Sequence, residues 1–293
     1  MHTGVLLMAH GTPSSLNEMP EYLRLVRAGR PASPELVAEM QHNYSAIGGR
    51  SPLTEITLAQ AAALAARLGG VPVSVGMRNW RPFIKDALND LAAGGVRRVI
   101  GIPMAPQFST LSVQKYIDAA QSALPSEPKG LRFDPVRSFH VHPLLVEAFG
   151  ERLRAAAPTS DELVVFTAHS LPARVIEAGD QYAIEVAATA RAVAAQAGVA
   201  RYEVAYQSAG RTPEPWMGPE LGAFVRERAA AGTRRFLIAP IGFVCDHTEI
   251  LFDIDVQAAS VAREQGATLR RTESLNTSPT FIGALEEIVR AML

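Results

Sequence analysis

Two histidines stand in matching local settings. Val5-Leu-Leu-Met-Ala-His10-Gly-Thr-Pro13 and Val164-Val-Phe-Thr-Ala-His169-Ser-Leu-Pro172 each read as an apolar strand followed by Ala-His, a small residue and a nearby proline. Imidazole has a reference pKa of about 6.5, so it serves as a general base or a metal ligand near neutrality. Either histidine alone reads equally well as a buried ring satisfied by a carbonyl. Their recurrence at matching positions favours chemistry, and the small residue after each keeps the turn tight.

A second set is Asp246-His-Thr-Glu249-Ile-Leu-Phe-Asp253-Ile-Asp255-Val-Gln257. If a helix begins near Asp246, then Glu249, Asp253 and Gln257 recur every four residues on one face, with Ile250, Leu251 and Ile254 on another. Acidic residues in a first turn complement the helix dipole, which accounts for Asp246 and Glu249 but not for Asp253. A row of carboxylates beside the strand end that presents His169 suits a hard or borderline divalent cation. Cys245 reads as a small buried hydrophobe.

A third set lies early in the chain. Arg27 and Arg30 close one helix, and Asn43-Tyr44-Ser-Ala-Ile-Gly-Gly-Arg-Ser51-Pro is a glycine-rich turn between two others. Helix stop and start signals account for the turn without function. As function, Arg27, Arg30, Ser51 and the loop amides suit a carboxylate, which guanidinium grips in bidentate fashion. Gln207 through Pro219 has too many turn formers for a regular element and reads as a cleft-lining loop carrying Trp216, or as a loop pinned by it.

These residues need strand ends to hold them. Strands are predicted over 4–9, 71–77, 97–103, 163–168, 202–207 and 234–240, with helices between them, the signature of βα units around parallel sheets. Ser33-Pro34 opens one helix, and 54–68 runs to a Gly69-Gly70 stop. Besides the histidine segments, Gly95-Val-Arg-Arg-Val-Ile-Gly-Ile-Pro103 is echoed by Gly232-Thr-Arg-Arg-Phe-Leu-Ile-Ala-Pro240, and between each pair lies another strand, ending at Met77-Arg78 and at Gln207-Ser208. The expectation is an α/β protein of two Rossmann-like, doubly wound parallel-sheet domains related by internal duplication. The active-site cleft is expected between them, since ligands of such sheets sit at the carboxyl ends of strands. The stretch 125–142, with Pro125, Pro128, Gly130 and Pro135, reads as the approach to a boundary. That gives domains 1–137 and 138–277, with a C-terminal helix at 278–293 placed to pack back onto the first.

Composition narrows the classes. The 293 residues are 48% hydrophobic and 19% charged, with 28 Lys and Arg against 29 Asp and Glu. That balance leaves no electrostatic footprint for nucleic acid. A single cysteine excludes an internal disulfide and a cysteine-held iron–sulfur cluster, so the expected compartment is the reducing cytoplasm. No apolar run reaches the length of a membrane span, so at most a peripheral membrane association is expected.

The chain resembles the ferrochelatases, and most of all the coproporphyrin III ferrochelatases of Gram-positive and related bacteria. The resemblance rests on Met8-Ala-His-Gly-Thr-Pro13, Ala46-Ile-Gly-Gly-Arg-Ser-Pro-Leu53, Ala105-Pro-Gln-Phe-Ser109 with Ser112-Val-Gln-Lys-Tyr116, Thr167-Ala-His-Ser-Leu-Pro172, Gln207-Ser208 with Trp216-Met-Gly-Pro219, and Gly242-Phe-Val-Cys-Asp-His-Thr-Glu249. It implies insertion of Fe²⁺ into coproporphyrin III to form coproheme in haem biosynthesis. His169 is then the pyrrole proton acceptor and metal ligand, Glu249 its catalytic and metal-binding partner, and His10 a residue facing metal and porphyrin from the other side. Arg27, Asn43, Tyr44, Ser51 and Tyr116 fall at porphyrin-contacting positions, and Asp253 in a metal-guiding row. Fe²⁺ enters as substrate, no tightly bound cofactor is required, and a downstream haem-pathway enzyme is a partner for the product.

Three positions depart from the family pattern. His10 stands where relatives usually carry tyrosine, Asn43 where a basic residue is common, and Gln257 where a carboxylate extends the metal-guiding row. The chain also ends at Leu293 without the cysteine-bearing extension of cluster-containing members. Other readings stay open. The substrate could be protoporphyrin IX, although the segment 16–30, with Glu18, Glu21 and three arginines, is a poorly greasy lip for taking an apolar porphyrin from a membrane. The His-Gly opening also resembles the small sirohydrochlorin cobalt or nickel chelatases. A non-catalytic haem carrier would use His10 and His169 as axial ligands and would not need Glu249 or Asp253.

Overall fold

The computed structural model describes residues 2–124, 131–210 and 212–293. Two compact units are formed, one from Met1–Ala105, Ser112–Ser138 and Asn276–Leu293, the other from Pro106–Leu111 and Phe139–Leu275. The first unit runs β1 (Thr3–Ala9), α1 (Met19–Val26), α2 (Pro34–Ala46), α3 (Leu53–Leu68), β2 (Val73–Met77), α4 (Ile84–Ala93), β3 (Arg98–Pro103), α5 (Val113–Ser122) and β4 (Arg132–Pro135). Its strands form an all-parallel sheet in the order β2-β1-β3-β4. From Val5 to Met8 every residue of β1 is fully buried, as a central strand covered on both faces requires. Leu6 and Met8 pack with Leu88 and Leu91 of α4 and Ala120 of α5, while α3 packs against β1 and β2.

The second unit runs α6 (Pro143–Ala155), β5 (Leu163–His169), α7 (Ala173–Glu177), α8 (Tyr182–Ala197), β6 (Tyr202–Gln207), α9 (Leu221–Ala230), β7 (Arg235–Ala239), α10 (Thr248–Leu251), a π-helical stretch (Asp253–Ala258), α11 (Ala259–Glu264) and β8 (Thr268–Arg271). Its sheet is also all-parallel, in the order β6-β5-β7-β8. The two sheets therefore share one topology, as the internal repeat predicts. Helix α12 (Pro279–Met292) returns to the first unit. There Arg67 of α3 donates to the Pro279 carbonyl at 2.8 Å and pairs with Glu286, and Arg290 donates to the Arg67 carbonyl.

Local signals place several ends as expected. Ser33 caps α2 by accepting the Leu36 N–H, and α3 stops at Gly69 in the left-handed region. Gly11, just past β1, has φ +88°, and a Cβ there would lie 2.8 Å from the Trp80 backbone nitrogen. Only glycine lets the loop after His10 approach the end of β2 so closely.

Four expectations are corrected. The break-rich stretch 125–142 does hold the division between the units, at Ser138 and Phe139, but it also contains a strand not predicted there, β4, paired with β3; its Pro125, Pro128 and Gly130 lie outside the described residues. The strand at 268–271 is likewise absent from the predicted set. Both β4 and β8 are edge strands whose charged residues hide the apolar signal and are held by ion pairs instead, Arg98 with Asp134 and Arg270 with Glu162. Residues Pro106–Leu111 belong with the second unit, so the first domain is not the unbroken 1–137 expected from sequence. Asp180 and Glu185 hold them there by accepting the Thr110 and Phe108 N–H groups. Finally, the helix carrying Glu249 begins at Thr248 rather than near Asp246, with His247 at its cap position, and it passes into π geometry at Asp253.

Candidate active site

The C-terminal end of β5 delivers His169, and β6 beside it delivers Gln207 in register. The histidine Nδ1 contacts the Ser170 carbonyl oxygen. A carbonyl only accepts, so Nδ1 donates there and Nε2 is the nitrogen turned to the site. That Nε2 lies 3.6 Å from Glu249 Oε1 on α10. Tyr182 fixes the strand end by donating to the His169 carbonyl oxygen at 3.0 Å.

Glu249 faces a second imidazole. His247 Nε2 lies 3.6 Å from Glu249 Oε2, and its Nδ1 donates to the Cys245 carbonyl oxygen at 3.0 Å. Burial pulls the His247 pKa down, but the Glu249 carboxylate, the Cys245 carbonyl and the charge of Asp253 together leave it raised. One turn further on, Asp253 accepts a hydrogen bond from Ser208, a residue in the left-handed region at φ 60°. Burial pushes the Asp253 carboxyl up to about 7, with the Glu249 charge adding to it and Ser208, His247 and His169 opposing. The four-residue spacing of Glu249 and Asp253 thus survives the shifted helix start.

Not every acid in this segment faces the site. Asp246 accepts from Ser274 and pairs with Arg271, and Asp255 takes the same guanidinium. Gln257 is exposed and lines a 200 Å³ cleft with Gln207, Ser208, Asp253, Glu220 and Arg226. A larger depression of 380 Å³ lies at the amino ends of β5, β6 and β7, lined by Asp161, Arg201, Arg234 and Arg235. It holds none of the expected site residues. Cys245 is buried, and burial pushes its thiol up to about 12, in keeping with a packing role. Trp216 donates to Thr212 and lies over Gly210, whose Cβ would meet its ring at 2.5 Å, so it pins its loop.

In the first unit His10 occupies the matching strand end. The Asn79 side-chain nitrogen sits 3.1 Å from its Nε2 and 3.3 Å from its Nδ1, and Tyr22 meets the ring edge-on at 6.3 Å. Tyr22, Trp80, Met19, Leu23 and Tyr44 share one buried cluster. Tyr44 also bonds Thr12 at 2.8 Å, which ties α2 to the loop after His10. Tyr116 is buried with the Arg78 guanidinium 5.1 Å above its ring. Ser51 is buried and accepts from the Leu53 N–H, while Asn43 is half-buried on α2. Arg27 caps α1, and its Nε is buried with no partner among the described residues; Arg30 Nε donates to the Arg27 carbonyl.

Sequence reasoning overlooked His247, Asn79 and Tyr22 as neighbours of the two key histidines. Asn79 had a signal: it follows β2 as Ser208 follows β6 in the repeat. Among the described residues no group of three or more His, Cys, Asp or Glu side chains is gathered to hold a metal, and no helix is long and apolar enough to cross a membrane.

Comparison with known proteins adds to this geometry. Residues 2–293 match the ferrochelatase family. A ferrochelatase of Deinococcus radiodurans is 43% identical over 98% of this chain and 94% of that protein. A coproporphyrin III ferrochelatase of a Geobacillus species is 37% identical over 98% of this chain and 96% of that protein. Among solved structures, the sirohydrochlorin chelatase SirB of Bacillus subtilis subspecies spizizenii in complex with cobalt is 10% identical with a TM-score of 0.61, covering 99% of this chain and 94% of that one. That last likeness is one of fold.

Proposed function

The chain belongs to the ferrochelatase family, so it inserts a metal into a porphyrin, and from that premise we propose that its substrate is coproporphyrin III, with His169 as the base. The observation that carries the chemistry is His169 Nε2, left facing the site by the Nδ1 contact with the Ser170 carbonyl and 3.6 Å from Glu249. Insertion of Fe²⁺ replaces two pyrrole N–H protons. His169 Nε2 takes one, and the Glu249 carboxylate stabilises the resulting imidazolium and stands as acceptor for the second. Before either takes a proton, the same nitrogen and a Glu249 oxygen are donors for the incoming Fe²⁺, which passes to the ring nitrogens as their protons leave. Asp253, protonated in part near neutrality, continues the row by which Fe²⁺ approaches.

Propionate recognition falls to Arg27 and Arg30, supported by Asn43, Tyr44, Ser51 and Tyr116. The buried, unpartnered Arg27 Nε is a donor lacking an acceptor, a role a carboxylate fills. The choice of porphyrin follows from α1. Its apolar residues Met19, Tyr22 and Leu23 are buried inside the first unit, and its exposed positions include Glu21 and Arg24. Such a lip offers little to a membrane-borne, two-carboxylate porphyrin and suits a water-soluble one with four carboxylates. The Geobacillus relative's name agrees with this choice. His10 is read as a further iron-facing ligand in the place of the usual tyrosine, and product passes to a later enzyme of haem synthesis.

The test is Fe²⁺ insertion into coproporphyrin III and protoporphyrin IX, followed by absorbance. The expected result is turnover that favours coproporphyrin. Equal or better turnover of protoporphyrin would overturn the substrate choice, and tight haem binding without any turnover would restore the carrier reading.

A further inference from the structure

Gln207 touches the chain on both sides of the His169–Glu249 pair. Its backbone carbonyl accepts the Ser170 N–H at 2.7 Å, and its side-chain Nε2 donates to the Glu249 carbonyl oxygen at 2.5 Å. The residue is 2% exposed, yet its Oε1 has no partner among the described residues.

Two further oxygens share that condition, Thr167 Oγ1 and Thr248 Oγ1. Thr167, fully buried, precedes His169 by two residues on β5, and its strand partner Ala205 precedes Gln207 by two on β6. Side chains alternate along a strand, so Thr167, His169, Ala205 and Gln207 leave the same face of the sheet. That face is the one packed by Ile250 and Ile254. Thr248 immediately precedes the residue whose carbonyl Gln207 holds. The three buried oxygens with unmet capacity thus come from one face of the adjacent strands β5 and β6 and from the first residue of α10, the helix that Gln207 holds by the Glu249 carbonyl. Left dry they carry a desolvation cost with nothing set against it. The long Gln207 side chain leans across the face from which its diagonal neighbour Thr167 also projects, and a water with two to four polar partners is the usual way to satisfy such groups. The amide oxygen only accepts, whereas the hydroxyls both give and take, so a single water satisfies all three.

We propose that one ordered water molecule is held by Gln207, Thr167 and Thr248, and that with it Gln207 is the positioning residue that keeps Glu249 against His169. The positioning half rests on the role given to Glu249 above. Gln207 itself touches neither porphyrin nor iron; it acts through the first turn of α10.

The experiment combines a high-resolution crystal structure of the full chain with steady-state insertion kinetics. The parent protein is expected to show one buried water within hydrogen-bond distance of Gln207 Oε1 and Thr167 Oγ1. Thr167→Val, nearly isosteric, loses that water and lowers kcat about three- to tenfold. Gln207→Met lowers kcat about tenfold or more. In both the porphyrin KM stays within about twofold, a split that a loss of folded protein does not produce. Absence of the water in the parent structure overturns the site, and parent-like kcat in Thr167→Val overturns the positioning role even if Gln207→Met fails to fold. Full kcat in Glu249→Gln would instead sink the reading of Glu249, while the density still decides the water.

Discussion

His10 and His169 end equivalent strands of two sheets with the same order, yet they meet different chemistry. His169 faces a carboxylate that a second histidine flanks; His10 faces an amide and an aromatic cluster. The divergence arises after the third strand of each sheet. After β7 the chain supplies the Glu249–Asp253 helix, whereas after β3 it leads to α5, whose Tyr116 is buried. Duplication supplied the frame for presenting an imidazole. The segment beyond the third strand decides whether that imidazole is set against carboxylates or against an amide and aromatic rings.

The sharpest way to break this contrast is to remove each ring in turn. His169→Ala should lower kcat by about a hundredfold or more, the scale of a lost general base. His10→Ala should cost only a few-fold and show itself in the absorbance spectrum of bound product. Equal losses would mean that the two halves share the proton chemistry after all.

A second contrast concerns stability. Both edge strands carry an arginine–carboxylate pair, but Glu162 is the more deeply enclosed of the two acids, its side chain 2% exposed against 16% for Asp134. Hydrogen bonding from Arg270 outweighs burial and holds Glu162 down to about 2 from 4.5. For Asp134, burial raises the pKa but the bonds from Arg132 and Arg98 outweigh it. A depressed folded-state pKa stabilises above the unfolded value and is lost as pH falls through the folded one. Allowing for solvent at Arg270, Glu162→Gln should cost about 1–2 kcal/mol at pH 7. Its difference from the parent should close as pH falls from about 4.5 towards 2. Asp134→Asn should cost less. Urea unfolding across that range measures both, and an equal or larger loss in Asp134→Asn would remove the distinction.

The frame was legible in the sequence because it is written in apolar runs and in the repeat. Central strands such as β1 and β5 are nearly continuous hydrophobes, and Ala-His-small-x-Pro marks where each one stops. The edge strands were not legible, since Arg132-Phe-Asp-Pro135 and Thr268-Leu-Arg-Arg271 carry charges that pair across space with partners far along the chain. His169, Glu249 and Asp253 could be read from residue type and four-residue spacing. His247 could not, because its role depends on the helix starting two residues later than the acidic run suggests. Asn79 was reachable only through the repeat, as the counterpart of Ser208, because its partner His10 is joined to it by strand pairing rather than by proximity in sequence.

Substrate grip offers a smaller effect that sharpens the same division. If the first unit holds propionates and the second moves protons, Arg27→Gln should raise the coproporphyrin KM about five- to tenfold, the scale of one charge-assisted contact, with kcat little changed. Measured beside His169→Ala, it separates binding from chemistry by unit. A fall in kcat at constant KM would place Arg27 with the chemistry instead.

The mildest test converts one half toward the other. Asn79 sets a side-chain nitrogen against the His10 ring, and an N–H donor there requires an unprotonated ring nitrogen as acceptor. Asn79→Asp replaces that donor with a carboxylate of nearly the same shape and so gives the first unit an imidazole–carboxylate pair like that of the second. A nearby negative charge favours the imidazolium, so His10 in this variant should titrate at higher pH than in the parent chain, as read by NMR titration. Insertion by Asn79→Asp should not exceed that of the parent, because charging His10 removes a lone pair without supplying the row of acids that accompanies His169. An unmoved titration would show that Asn79 does not govern His10. A gain in kcat would show that a carboxylate beside an imidazole is all that separates the two halves.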